Sequence, residues 1–446
     1  MAISLGAPVT KISRSRRTET VLLIGAWVII AGFYVLASLG SQGTMPPHLY
    51  VFLSIFMGGS FGISLGIRFL APQSSQILLP IATLLNGIGF VEITRWNPPL
   101  ASQQTLWFIM SGIGVLVLLG VVRHVRDLDR YRYISLTGAI LLIALPLVPH
   151  VGVNINGARL WVVLGPISFQ PVEIAKILLA FFFASYFAAN RELLSTPTMR
   201  LGGRLIVAPR TVFPIICAWG VAIAILGAEN DIGFGMLLFV LFFAMLWISS
   251  GRWSYLLLGV AMFAIGGYGA YLAFPQVQSR ISFWLDPWSA HNVAISTQLI
   301  DGWFSLAAGG VTGTGLGLGQ SGNIPFITSD MIFAAVGEEL GLLGVILVVS
   351  LFVAFIGEGM AIAQRAHSDF LRLAATGLTA TLGLQAFFII AGVLRIVPFT
   401  GITLPFVAYG GSSLFANYVI LALLLRISDE NAQERRGGEI VAVSFD

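Results

Sequence analysis

Apolar runs of about 20 residues, broken by short polar or glycine- and proline-rich stretches, recur along the whole chain. Cutting at charges and turn residues gives twelve candidate helices, near residues 21–40, 48–70, 74–95, 104–123, 134–150, 171–190, 210–228, 232–250, 253–274, 342–363, 373–394 and 411–427. The runs do not alternate as barrel strands do, and only helices or closed barrels satisfy every backbone group in lipid. The expected fold is therefore all-α, a polytopic membrane helix bundle of about twelve transmembrane helices. The first run follows Lys11, Arg14, Arg16 and Arg17 but is too long for a signal segment, and no small-residue cleavage site follows it. It is expected to be a span. The pair over 21–70 has almost no polar positions and is expected to pack facing lipid.

Composition narrows the class further. The 446 residues are 57% hydrophobic and 10% charged, which excludes a soluble enzyme, and disorder as well despite 50 glycines and 19 prolines. The net charge of +4 is scattered between apolar segments, so no nucleic-acid partner is expected. The single cysteine, Cys217, excludes an intramolecular disulfide and thiolate metal sites. Basic residues alternate between faces: the N-terminal tail, Arg68, the 123–132 loop, the 191–210 loop, Arg252, Arg365, Arg372 and the C-terminal tail share one side. Only Arg95, Arg159, Arg280 and Arg395 fall on the other. The positive-inside bias then predicts a multi-pass protein of the cytoplasmic (cell) membrane with both termini cytoplasmic. The tail after Arg426 is expected to be mobile, and Glu430 within it to tolerate substitution better than Glu173.

On that topology the long polar stretches all lie outside: loop 151–170, the 229–231 turn, segment 275–341 and loop 395–410. So do Glu173, Glu229, Asp231, Asp286, Asp301, Asp330, Glu338 and Glu339. Lone arginines beside carboxylates, on a face that should be poor in positive charge, point to specific pairing or ligand contact. Four stretches stand out. In Gln170-Pro171-Val172-Glu173-Ile174-Ala175-Lys176, proline and an acidic first turn mark a helix start, and Glu173 and Lys176 share a face. That pair reads either as a structural intramembrane ion pair or as the charged wall of a cavity. The glycine-rich 309–319 reads as a backbone able to cradle phosphate or as a plain turn; without a Walker lysine it is no nucleotide loop, and no nucleotide is expected. In 328–341, Asp330 reads as a helix cap or as a general base, with Glu338 and Glu339 ending a short helix before the next span. The clustered carboxylates also raise a divalent cation, Mg or Mn, whose ligands the sequence does not assign. Prolines and glycines in 398–413 forbid a continuous helix, leaving a broken segment against protein or a hinge.

Taken in order and spacing, NGARLW (156–161), FQPVEIAK (169–176), ENDIG (229–233), Asp286-Pro287, Gln298, GGVTGTGLG (309–317), SDMIFAAVGEELG (329–341) and PFTGITLPFVAYGGSS (398–413) resemble the SEDS family of peptidoglycan glycosyltransferases, the RodA/FtsW type. The resemblance implies a ten-helix core. It divides the chain into a tail at 1–20, an added helix pair at 21–70, a polymerase core at 71–428 with a large outer loop at 275–341, and a tail at 429–446. It also implies an enzyme that polymerises lipid II, the undecaprenyl-diphosphate-linked disaccharide-pentapeptide, on the outer face of the membrane beside a class B penicillin-binding protein. Asp330 matches the family's catalytic aspartate. Glu173, Lys176, Arg159, Gln298, Glu338, Arg395 and Ser412 are the expected substrate and cavity residues. The chain departs from the usual family residue at Val172, Asn230, Thr314, Phe326, Thr328 and Ile389. The short tail leans toward an elongation-type member, while a lipid flippase and a scaffold recruiting a transpeptidase stay open as alternatives.

Overall fold

The computed structural model describes residues 15–46, 49–155, 158–165, 167–196, 199–201, 204–206, 209–290 and 292–443. Lys11 and Arg14 of the basic tail, Asn156 and Gly157 of the 156–161 motif and the last three residues lie outside them. The chain begins with four long helices, α1 (Arg17–Gln42), α2 (Leu49–Leu70), α3 (Leu78–Trp96) and α4 (Pro98–Val121), and a shorter α5 (Arg132–Ala144). After a three-stranded antiparallel sheet come α6 (Val172–Ala189), the short α7 (Arg191–Ser195) and a small hairpin. The remainder is α8 (Pro209–Ala228), α9 (Ile232–Ser250), α10 (Trp253–Ala273), α11 (Pro275–Leu285), α12 (Val293–Gly309), α13 (Ile332–Gln364), α14 (Asp369–Val393) and α15 (Gly411–Val443). Ten of these helices are long and apolar enough to cross a membrane. Of the twelve expected runs, the one at α5 forms a helix of 13 residues, and the one at α8 forms a helix of 20 residues that is apolar over Phe213–Ala228.

Burial sorts the helices into layers. α3, α6, α14 and the membrane-length part of α15 are largely buried, whereas α10 is almost entirely bare. A helix that is apolar all round and buried is a bundle core; one that is apolar and bare is lipid-facing. The first two helices pack in an orderly way, α1 on α3 and α2 on α4. Aromatic side chains join this pair to the core: Phe52 stacks on Phe90 at 4.7 Å and Phe56 on Phe108 at 5.1 Å. Buried polar groups at its end are paired, with Glu19 accepting from Arg16 Nε at 2.9 Å and from the Ser64 hydroxyl.

Two segments differ from the sequence expectation. Part of loop 151–170 is a sheet: Gly152–Ile155, Ala158–Leu164 and Ile167–Phe169 pair in antiparallel order with Val162 opposite Gly152 and Phe169. The alternating and β-branched residues of ARLWVVL support a strand better than a loop. The second is a correction, because the segment after Arg426 is not a loose tail. α15 continues to Val443, and Asp429, Glu430 and Asn431 are buried. Asp429 accepts from Gln73 N at 2.7 Å, Glu430 from Val125 N, and Asn431 Nδ2 donates to Ile362 O at 3.0 Å. Polar composition suggested solvent; these side chains instead satisfy loop and helix-end backbone groups at the membrane edge. Glu430 is therefore not a neutral control for Glu173.

Candidate active site

The broken segments named in the sequence meet at one end of the bundle. α13 is interrupted at Gly341, whose φ of 64° and ψ of −162° only glycine adopts without strain. This separates a short helix, 332–340, from the span that follows, as the spacing of Glu338 and Glu339 implied. The Gly341 backbone lies against Val311 and Gly313, so the break is held by the glycine-rich loop. That loop is pinned in turn: Thr314 N donates to Glu338 O at 2.9 Å, Gly315 N to Glu339 O at 3.1 Å and Gly317 N to Glu339 Oε2 at 2.9 Å. Glu338 takes Gln320 N at 2.8 Å and the Ser321 hydroxyl, while Arg95 pairs with Glu339 and donates to Gly319 O at 2.6 Å. Glu338 thus sits in a cluster with Arg95 and Glu339 that fixes the loop; its carboxylate is already occupied.

Asp330 stands just ahead of α13, half-buried, with its Oδ2 beside Gly401 of the irregular segment between α14 and α15. That segment needs left-handed backbone at Arg395, Gly401 and Phe406, and much of it is buried. Tyr409 N donates to Thr328 O at 2.8 Å, joining it to the Asp330 strand of chain. Arg280, on α11, donates from Nη1 to Phe399 O at 3.2 Å and Thr400 O at 2.8 Å. Its field reaches both Asp231 and Asp330.

Burial pushes the Asp330 carboxyl up to about 7, although the Ser329 hydroxyl and the Arg280 guanidinium both pull it down. Asp231, the N-cap of α9, accepts from Phe234 N at 3.0 Å and is pushed up by burial to about 6. Glu229 rises further, to about 8, through burial and then the neighbouring Asp231 charge. Arg280 is lowered by its own burial, which the two aspartates oppose. The result is an arginine between carboxyl groups poised around neutrality, an arrangement suited to moving a proton.

The other expected residues take varied places. Glu173 and Lys176 form an ion pair, 1% and 0% exposed, and Lys176 Nζ also donates to Gln385 Oε1 at 2.6 Å. Gln385 Nε2 passes the bond to Thr403 O at 3.0 Å, so the pair is tied to the irregular segment. Ser412 accepts from Gln170 N at 2.9 Å and joins the starts of α15 and α6. Arg395 donates to Trp284 O at 2.9 Å and Leu285 O at 2.7 Å, which clamps α11. Gln298 is half-buried with Nε2 unpartnered, and the Arg159 side chain is exposed on the sheet while its N–H donates to Glu229 O at 3.3 Å. Arg280 and Gln385 were absent from the expected set. Arg280 did carry a signal, as one of four arginines on a face otherwise poor in positive charge; Gln385, inside an apolar run, carried none.

Among the described residues, no three His, Cys, Asp or Glu side chains gather as a metal site. The clustered carboxylates are spent on backbone N–H groups and on Arg95.

Fold and site together define a multi-pass integral membrane protein with a polar, titratable centre at one end of its helix bundle. The FtsW/RodA/SpoVE family model, described as cell cycle protein, matches residues 78–433, and the chain belongs to that family. That match starts at α3, leaving α1 and α2 outside it. The peptidoglycan glycosyltransferase RodA of Mycobacterium tuberculosis is 36% identical over 96% of this chain and 94% of its own length. The uncovered 4% is too short to hold the added helix pair. A probable peptidoglycan glycosyltransferase FtsW from a Geobacter species is 30% identical over 79% of this chain and 96% of its own. Among solved structures, a chain reported under "Structural coordination of polymerization and crosslinking by a peptidoglycan synthase complex" is 26% identical, with TM-score 0.66 over 80% of this chain and 98% of that one. The rod shape determining protein RodA of Thermus thermophilus has the same fold, with TM-score 0.56 over 80% of this chain and 96% of that one at 24% identity.

Proposed function

We propose that this chain is a peptidoglycan glycosyltransferase that polymerises lipid II at the outer face of the cytoplasmic membrane, with both termini inside and Asp330 as its general base. Family membership and relatives named as peptidoglycan glycosyltransferases support the activity. The observation that carries the site is the half-buried Asp330, set against Gly401 with the charge of Arg280 near it. Joining two sugars with inversion requires that the acceptor hydroxyl lose its proton as the bond to the departing lipid diphosphate breaks. Asp330 takes that proton. Near neutral pH its carboxyl is basic enough to do so and is partly ionised.

The departing diphosphate needs positive charge. Lys176 is fully buried on Glu173 and Gln385, and Arg395 is engaged on Trp284 and Leu285, so the exposed Arg159 is the available one of the three. No step is assigned to a divalent cation. The irregular 394–410 segment, Arg280 and the broken start of α13 hold the base and the acceptor side in register. Residues 71–428 form the polymerase core, and the added pair at 21–70 braces α3 and α4.

A class B penicillin-binding protein is the partner, as the likeness to a chain of a synthase complex supports. The near full-length match to RodA relatives favours the elongation type over the division type. The test is purified protein with lipid II, without nucleotide. Glycan polymer is the expected product; relocation of lipid alone would indicate a flippase, and neither outcome in the presence of the partner would indicate a scaffold.

A further inference from the structure

At the end of the bundle opposite Asp330 lies a polar cavity of about 490 Å³, which nothing in the proposed reaction uses. It is walled by the start of α1 (Thr18), the segment 73–77 ahead of α3, the end of α13 and the extension of α15. The walls are bonded to one another rather than merely adjacent. Ser75 N donates to Ser428 Oγ at 3.0 Å, the Ser75 hydroxyl donates to Glu358 Oε1 at 2.7 Å, and Asn431 Nδ2 donates to Ile362 O at 3.0 Å. The cavity is thus built in advance, as ligand sites are.

Its chemistry is specific. Arg365 and Arg435 line it, both exposed, and among the described residues neither has an ion-pair partner. Glu358 also lines it, half-buried, with Oε1 on the Ser75 hydroxyl. The cavity therefore offers two guanidinium groups for an anion and the Glu358 carboxylate for a donor. Guanidinium groups match phosphate. A phosphodiester with a hydroxyl or ammonium group a few bonds away satisfies both ends at once.

The surroundings indicate where that phosphodiester comes from. Thr18 lies one turn from Val21 and Leu22, which are 68% and 42% exposed on the bare face of α1. Acyl chains can run along this face from a headgroup held in the cavity. Basic pockets between helix ends on the positively charged side of a membrane protein are suited to phospholipid headgroups.

We propose that this cavity seats the headgroup of a phospholipid, with its phosphate on Arg365 and Arg435 and its hydroxyl or ammonium donor on Glu358. The ligand then ties the far end of α13 to the extension of α15, at the opposite end of the bundle from the candidate active site.

The test is native mass spectrometry of the full chain in detergent with phosphatidylethanolamine, phosphatidylglycerol or phosphatidylcholine. Phosphatidylcholine carries the phosphate but no donor. We expect the first two to bind about tenfold more tightly than the third. Arg365→Gln/Arg435→Gln should weaken the first two by about 30-fold, with unchanged thermal unfolding. Arg123→Gln/Arg130→Gln, on the same basic side, should leave them unchanged. Glu358→Gln should remove most of the preference for the ammonium headgroup. Equal binding of all three lipids, equal loss in the control variant, or an unaltered preference in Glu358→Gln would overturn the assignment. Binding of free phosphoethanolamine or glycerol phosphate as tight as that of the whole lipid would overturn the lipid source in favour of a soluble phosphoester.

Discussion

Removing Lys176 alone should destabilise the protein far more than removing the whole ion pair. Lys176 and Glu173 are 0% and 1% exposed, at the start of a helix that crosses the membrane. Lys176→Met leaves Glu173 as a buried charge without its partner and strips Gln385 Oε1 of its donor. Breaking one side of a buried pair costs about 3–5 kcal/mol, whereas replacing both charges by apolar groups of similar volume is close to neutral. At about 2 °C per kcal/mol, the low end for a chain of this size, the single variant should lose about 6–10 °C in thermal midpoint. Glu173→Leu/Lys176→Met should recover most of that. The assay is thermal unfolding of both variants in one detergent, with the double-mutant cycle giving the coupling. Equal midpoints for single and double variants would refute the reasoning, because the pair would then contribute nothing that its separate charges do not.

Further outcomes follow from the site and the corrected C-terminus. If Asp330 works as a base with its carboxyl near 7, the initial polymerisation rate should rise with pH through about 7 and level off above it; a profile already flat from pH 5 would contradict this. Arg280→Gln removes a charge that lowers the Asp330 carboxyl, so the midpoint of that profile should move to higher pH along with a loss of rate, and an unmoved midpoint would separate Arg280 from Asp330. Gly317→Val places a side chain on Ala37 O of α1 at a φ of 83°, so thermal stability should fall by about 2 kcal/mol or more, read as a lowered midpoint. Deleting 429–446 should also lower the midpoint, since it removes Asp429, Glu430 and Asn431 from their backbone partners, whereas a loose tail would leave it unchanged.

Much of this was legible in the chain because membrane helices follow a simple rule: a run of sufficient length and hydropathy spans, and its breaks mark the ends. The helix start at Gln170-Pro171, the short helix before Gly341 and the irregular 398–410 segment were all visible as proline, glycine and charge punctuation. What the sequence left out depends on partners distant in the chain. Glu338 looks like a carboxylate free for chemistry until Gln320 and Ser321 close on it. The polar stretch after Arg426 looks solvated until the helix ends that receive it are in place. Gln385 is one polar residue in an apolar span, and only the fold brings Lys176 and Thr403 to it. Arg280 was half visible: its isolation predicted a specific contact, but which carboxylates and which carbonyls was a matter of tertiary structure.

The central claim is most directly tested by the rate at which purified Asp330→Asn protein, shown to be folded and with its partner present, polymerises lipid II. The account predicts normal expression and thermal midpoint with a polymerisation rate lower by about 10²- to 10⁴-fold. Glycan strands formed at nearly the unaltered rate would contradict it.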